Sequence, residues 1–168
     1  MSKKSKKDTA KDGIGIVGMF RVAIDENGRI VSKSDWTKNQ ITQEGVRKFL
    51  VSSLGSISGS SYISYVALGT GTVPSAATTG LPGELAETNG RATVSATTGA
   101  GSSQVQFTAT FSSSNSFATA SRNIANIGLF AVSTQNAGTL FAGNTYASST
   151  VATNQNVNIT YNINFSTT

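Results

Sequence analysis

The side chains of this 168-residue chain that could do acid–base chemistry are its eight carboxylates, because histidine and cysteine are absent. They are Asp8, Asp12, Asp25, Glu26, Asp35, Glu44, Glu84 and Glu87. Without an imidazole or a thiol, a nucleophile would need a lysine or a carboxylate as its base. Most of these acids fall in the N-terminal tail, a predicted hairpin tip or a predicted loop.

Glu84 and Glu87 form the one close pair of acids outside the N-terminal third of the sequence. Arg91 follows them closely, which favours a structural salt bridge over a catalytic pair. No cluster of carboxylates at the spacing of a hard-metal site is present in the sequence. We therefore predict a protein that is not an enzyme, with no catalytic residue, no metal site and no cofactor.

Two glycine motifs could in principle hold phosphate groups. Residues 13–18 match G-x-G-x-x-G, which binds dinucleotides when a strand precedes it and a helix follows. Here a lysine-rich tail precedes and a strand pattern follows, so we interpret this segment as a hinge. Residues 69–72 read Gly-Thr-Gly-Thr and lack the Gly-Lys-Ser/Thr ending of a phosphate loop, which predicts a turn.

Basic charge is concentrated in residues 1–13, which contain Lys3, Lys4, Lys6, Lys7 and Lys11. We predict an extended N-terminal arm. Such an arm can dock on an acidic protein surface, bind phosphates, or act as a solubilising tail. No aromatic residue lies between the lysines, so stacking on nucleic-acid bases is not indicated.

The rest of the chain is poor in charge. Charged residues make up 12% of the sequence, against about 25% in a typical globular domain, and Arg122 is the one charged residue after Arg91. A surface of hydroxyls and amides can meet another protein without the desolvation of charges. No apolar run approaches the length of a membrane span or a signal peptide, so we expect no membrane association.

Residues 156–165 organise the predicted fold, because apolar residues alternate strictly with Asn and Thr. This period of two is typical of a strand with one dry and one wet face, and residues 105–111 repeat it. An Asn27-Gly28 turn predicts a hairpin. We predict strands at residues 14–24, 29–32, 62–68, 91–98, 103–112, 124–133, 139–147 and 151–165.

One α-helix is predicted near residues 42–54. Thr42 can cap it and Gly55 can end it, and helical spacing relates Val46, Phe49, Leu50 and Leu54. Residues 73–90 form a long connection of low order. Short strands at regular spacing predict a mainly β chain: an antiparallel, jelly-roll-like β-sandwich at residues 14–168, preceded by the arm.

Three segments together resemble a broad group of tailed-bacteriophage virion proteins. They are residues 38–45 (K-N-Q-I-T-Q-E-G), residues 67–72 (A-L-G-T-G-T) with Leu81, Glu84 and Arg91 after them, and residues 127–130 (I-G-L-F). In that group an acid precedes I-G-L-F, whereas this chain has Asn126. If that acid pairs with the loop arginine, Arg91 must instead use Glu84, Glu87 or a backbone carbonyl.

The resemblance extends over about residues 38–165 and implies a tail, fibre or particle-surface component without catalytic residues. We expect a non-enzymatic virion protein, made in the host cytoplasm, that decorates or cements the capsid through its arm. Its partners would be the major capsid protein or other virion proteins, and copies of itself. The alternatives are a tail, collar or fibre component, and a shell protein whose arm binds the genome, with nucleic acid the less favoured partner.

Overall fold

The computed structural model describes residues 13–56, 58, 61–87, 89–99 and 102–167. The arm lysines, at positions 3 to 11, lie outside the described residues. Two antiparallel sheets face each other, which confirms the prediction of a mainly β, sandwich-like fold with one helix. The strands are β1 (Ile14–Glu26), β2 (Arg29–Lys33), β3 (Thr37–Lys38), β4 (Gln40–Ile41), β5 (Tyr65–Gly69), β6 (Arg91–Thr93), β7 (Ser95–Thr97), β8 (Gln104–Phe111), β9 (Arg122–Phe130), β10 (Leu140–Val151) and β11 (Asn156–Thr167).

Sheet A has the strand order β2-β1-β11-β8-β7, with β3 also paired to β1. The predicted organising strand, β11, is its centre and pairs along its length with β1 and β8. Val157, Ile159, Tyr161 and Ile163 are buried, as the alternation predicts. The β1–β2 hairpin turns at Asn27 and Gly28, both with positive φ, which is the backbone that an Asn-Gly pair favours.

Sheet B has the order β4-β10-β9-β5-β6. The predicted strand at residues 91–98 is two strands in different sheets, since β6 pairs with β5 and β7 with β8. The change of sheet occurs at Val94, whose amide donates to the carbonyl of Ser64 at 2.9 Å. The single-strand prediction was wrong because both halves have β-prone residues and the crossover carries no glycine or proline.

The boundary between the last two strands also differs from the prediction. Val151 ends β10, and β11 begins at Asn156. The turn between them is held by the amide of Gln155, which donates to Ala152 O at 3.1 Å, and by the side chain of Gln155, which accepts from Ala152 N at 3.0 Å. This turn is closed by Gln155 and contains neither the glycine nor the proline that marks other turns.

The helix, α1, joins an α-helical turn at Gln43–Gly45, a π-helical stretch at Val46–Val51 and an α-helical turn at Ser52–Leu54. Thr42 caps it by accepting from Gly45 N at 2.8 Å, and Gly55 follows its end. Phe49 is buried, but Leu54 is 87% exposed. The wider π-helical turn rotates the residues that follow it. The α-helical period of 3.6 residues per turn therefore predicts the wrong face of the helix for Leu54.

The main core lies between the sheets, and a second, smaller cluster lies on the far side of sheet B. The large fully buried side chains of the main core include Phe20, Tyr161, Phe141 and Ile127. In the second cluster, Leu81 packs against Ala67, Phe130 and Leu140. The connection predicted at residues 73–90 therefore covers part of sheet B through Leu81.

Candidate interaction surfaces

The outward side chains of β8 and β11 form a surface of amides and hydroxyls, which we name the polar face. They alternate with buried residues on each strand and so point away from the core. None of them is charged. The polar face consists of Gln104, Gln106, Thr108, Thr110, Asn158, Thr160, Asn162 and Asn164.

The amides of the polar face are hydrogen-bonded to one another across the two strands. Gln104 Nε2 donates to Asn164 Oδ1 at 2.7 Å, and Gln106 Nε2 donates to Asn162 Oδ1 at 3.0 Å. Each pair is directly opposite in the strand register. The surface is therefore polar, yet part of its hydrogen-bonding capacity is already satisfied within the sheet.

Two charged residues at the border of the polar face, Asp25 and Arg21, contact neighbouring side chains. Hydrogen bonds from Asn158 and then Asn156 lower the pKa of Asp25 below its ordinary value. The amide nitrogens lie 2.5 and 3.0 Å from the two carboxylate oxygens. The guanidinium of Arg21 lies 4.9 Å from the centre of the Trp36 ring, a cation–π contact.

Glu84 and Arg91 form a buried ion pair on the opposite side of the molecule, with both side chains 1% exposed. Arg91 Nε donates to Glu84 Oε1 at 2.6 Å, and Nη2 donates to Oε2 at 2.9 Å. The same guanidinium donates to the carbonyls of Val132 at 2.7 Å and Ala137 at 3.1 Å, and lies over the Phe130 ring. This bidentate pair ties three segments of chain together.

Glu87 does not join that pair. Its carboxylate lies 2.8 Å from Nη2 of Arg122, which is partly exposed. The predicted trio of Glu84, Glu87 and Arg91 is therefore divided between two ion pairs. Our sequence reasoning missed Arg122 as a partner, although its position as the one charge after Arg91 was a clue to it.

The three segments named in the sequence analysis, at residues 38–45, 67–72 and 127–130, meet in sheet B and at its junctions. Thr42 is buried and donates to Leu140 O at 2.5 Å while it caps α1. A side chain at Gly45 would collide with the carbonyl of Phe141. Asn126, which replaces the acid of the pattern, donates to Pro82 O at 2.7 Å. These residues have structural roles here.

The carboxylates of the described residues are largely engaged in such contacts. Glu44 binds Arg47, and the carboxylate of Glu26 accepts from Asn154 at 2.8 Å and Gln155 at 3.2 Å. Within the described ranges no group of three or more acidic residues is placed to hold a metal ion. None of the helices in this part of the chain is long and apolar enough to cross a membrane.

Comparisons of this chain with protein-family models, with curated proteins and with solved structures found no match.

Proposed function

We propose that this protein is a non-enzymatic structural component of a tailed-bacteriophage virion that decorates or cements the capsid. It acts as a homo-oligomer, and its basic arm contacts the major capsid protein or another virion protein. The observation that carries this proposal is the polar face, an uncharged sheet surface that no described segment of the chain covers. The sequence resemblance supplies the class of particle.

The internal pairing of the polar face favours its use as a contact surface. Burying an amide without a hydrogen bond costs about 1–3 kcal/mol in proteins. Gln104 with Asn164 and Gln106 with Asn162 keep their mutual bonds when a partner covers them. Since no charge must be desolvated on β8 or β11, a neighbouring protein can cover this face at low cost.

A pair of lysine substitutions tests the polar face. Thr108→Lys places a charge at its centre, and Thr150→Lys places the same charge on an exposed position of β10. In co-sedimentation with particles that lack this protein, we expect Thr108→Lys to weaken binding about tenfold or more, a change of about 1.4 kcal/mol. Equal binding by both variants would contradict a role for the polar face.

Removal of residues 1–12 tests the arm. We expect the truncated chain to keep its circular dichroism and thermal unfolding but to lose binding to the particle. Replacement of all five arm lysines by arginine is the matched control and should retain binding. A truncated chain that binds particles like the full chain would contradict docking through the arm.

A tail, collar or fibre component is the second candidate, because the resembling group includes such proteins. Imaging of particles that carry labelled protein separates the two. Copies spread over the shell favour decoration, and a ring or spike at one vertex favours the tail.

The five arm lysines favour a third candidate, a shell protein that binds the genome. It requires DNA or RNA binding that weakens steeply as the salt concentration rises. Absence of DNA or RNA binding at low salt would rule out this third candidate.

A further inference from the structure

An apolar cavity of about 160 Å³ opens at the end of the sandwich where β1 begins and β11 finishes. A cavity of roughly this size with apolar walls can hold a benzene-sized group, so a single aliphatic side chain fits. Tyr62, 75% exposed, stands at its mouth. Its walls are mainly apolar side chains of α1, β8, β10 and β11, among them Phe49, Leu50, Phe107, Phe141, Ile163 and Phe165.

The wall supplied by α1 has an unusual backbone. Phe49 and Leu50 lie within the π-helical stretch Val46–Val51. Such stretches are rare and occur frequently at functional sites. On the same helix Val51 and Leu54 are exposed. Because Leu54 lies four residues after Leu50, on the neighbouring turn, apolar surface continues from the cavity mouth onto the outside of the molecule.

An exposed apolar pair lies on the β1–β2 hairpin. Ile30 is 58% and Val31 is 50% exposed, and every residue of β2 is exposed. Edge strands usually carry charged residues that discourage pairing with other chains. Here Arg29 and Lys33 flank two aliphatic side chains that no described segment covers.

The hairpin and the cavity lie at opposite ends of the same long strand. Ile16 of β1 pairs with Phe165 at the cavity, whereas Asp25 of β1 pairs with Ile30. The nine residue-to-residue steps between these positions span about 30 Å at roughly 3.3 Å per residue. A copy of the chain therefore cannot place its own hairpin in its own cavity.

The two ends also differ in charge. The arm ends at Gly13, directly before β1, and so joins the sandwich at the cavity end. Residues 1–13 contain five lysines and two aspartates, a formal side-chain charge of +3. Residues 25–35, around the hairpin, contain three acidic and two basic residues, a charge of −1. Opposite net charges favour the approach of one copy's hairpin to another copy's cavity.

We propose that copies of this chain associate head to tail, with Ile30 of one copy inserted in the apolar cavity of the next and Val31 packed at the mouth of that cavity. The occupant of the cavity is thus a second copy of the chain. A contact between different surfaces is heterologous and closes into a ring or extends as a filament, depending on the rotation between copies. This inference rests on the homo-oligomeric assembly in the proposed function and names the surfaces that build it.

Two variants block the two halves of the contact. Ser53→Leu fills the cavity mouth, with Ser53→Ala as its control, because Ser53 lines the cavity. Ile30→Asn/Val31→Asn removes the insert, with Val73→Asn as a control at a comparably exposed residue elsewhere. Tyr62→Lys is a second variant of the cavity mouth. Thermal unfolding establishes that each variant is folded.

Sedimentation velocity over a range of concentrations is the test. We expect the wild type and both controls to associate, and each blocked variant to remain monomeric, with association at least tenfold weaker. An equimolar mixture of Ser53→Leu and Ile30→Asn/Val31→Asn should form dimers and nothing larger. Each dimer uses the intact hairpin of the first variant and the intact cavity of the second.

A mixture that stays monomeric, or blocked variants that associate like the wild type, would overturn the head-to-tail contact. A wild type that remains monomeric while a different virion protein occupies the cavity would also overturn it. Particle binding is measured separately on the same variants. If the head-to-tail contact is disproved but the protein still binds particles, the proposed function stands. If neither the contact nor particle binding is found, the assembly on a virion that both proposals assume is ruled out.

Discussion

The outer faces of the two sheets differ in what covers them. On sheet B, Leu81 packs over Phe130 and Leu140, and the Glu84–Arg91 pair is buried nearby. On sheet A, the polar face consists of amides and hydroxyls that no described segment of the chain covers. The described part of the chain thus covers one outer face and leaves the other open.

This difference shows that the two faces offset the desolvation free energy of their polar groups in different ways. A charge buried beneath a loop requires a complete set of partners, and Arg91 has a carboxylate and two carbonyls. The uncharged polar face needs no such set, because each amide can exchange bonds with water or with the opposite strand. Stability should therefore depend strongly on sheet B's cover and weakly on the polar face.

The largest effect is expected from Arg91→Met. It leaves the carboxylate of Glu84 buried without its partner, which should lower the free energy of unfolding by about 3–5 kcal/mol. Urea denaturation measures this change. The control is Arg47→Met, which breaks an exposed pair with side chains 62% and 37% exposed and should cost below about 1 kcal/mol. Equal losses in the two variants would contradict the assignment of Glu84–Arg91 as a buried pair on which the stability of sheet B's cover depends.

Leu81→Ala should have the next largest effect. It removes the side chain with which the connection at residues 73–90 packs on sheet B, at a cost of about 2–5 kcal/mol. Limited proteolysis should also cut this segment faster. Leu54→Ala, on the exposed side of α1, serves as the control and should change stability by less than about 0.5 kcal/mol. Unchanged stability in Leu81→Ala would mean that the segment is not a structural cover.

The two buried tyrosines provide a smaller contrast between the sheets. Tyr161 of sheet A accepts a hydrogen bond from Asn39 Nδ2 at 2.6 Å, whereas the Tyr146 hydroxyl of sheet B has no partner among the described residues. Tyr161→Phe should cost about 1–2 kcal/mol because it leaves Asn39 unpaired. Tyr146→Phe should be neutral or slightly stabilising. The reverse order in urea denaturation would contradict these assignments.

The same tyrosines predict a dependence on alkaline pH. Burial raises the pKa of both hydroxyls above the ordinary value of 10.0. The unfolded chain therefore loses these protons at a lower pH than the folded chain, so stability falls as the pH rises above 10. The slope is about 1.4 kcal/mol per pH unit for each tyrosine. Each Phe variant should show a shallower decline, and an unchanged slope would contradict the raised pKa.

The smallest effect is expected on the polar face. Asn158→Ala removes a hydrogen bond that lowers the pKa of Asp25. That bond stabilises the ionised carboxylate, so its contribution is present above the ordinary pKa of 3.8 and disappears as the pH falls through the lowered value. The stability curves of the wild type and Asn158→Ala should converge in acid. Asn162→Ala, which pairs with Gln106 and touches no carboxylate, should show a difference that does not vary with pH.

Local patterns in the sequence were enough to predict several elements of the fold. The alternation in β11 predicted its buried face, Asn27-Gly28 predicted the hairpin, and Thr42 predicted the start of α1. Each depends on the backbone preferences of a few neighbouring residues or on a period of two, so no long-range contact has to be known. The predicted sandwich followed from the number and spacing of such segments.

Tertiary structure alone decided which segments meet. It placed the two halves of residues 91–98 in different sheets, joined Glu87 to Arg122, packed Leu81 on sheet B and formed the cavity beneath α1. These features depend on contacts between residues far apart in the chain, and β-prone segments can pair in many ways that satisfy the same local pattern. The sequence by itself therefore determined a two-faced, charge-poor β protein, and only the packing of its sheets determined which face the described residues leave open.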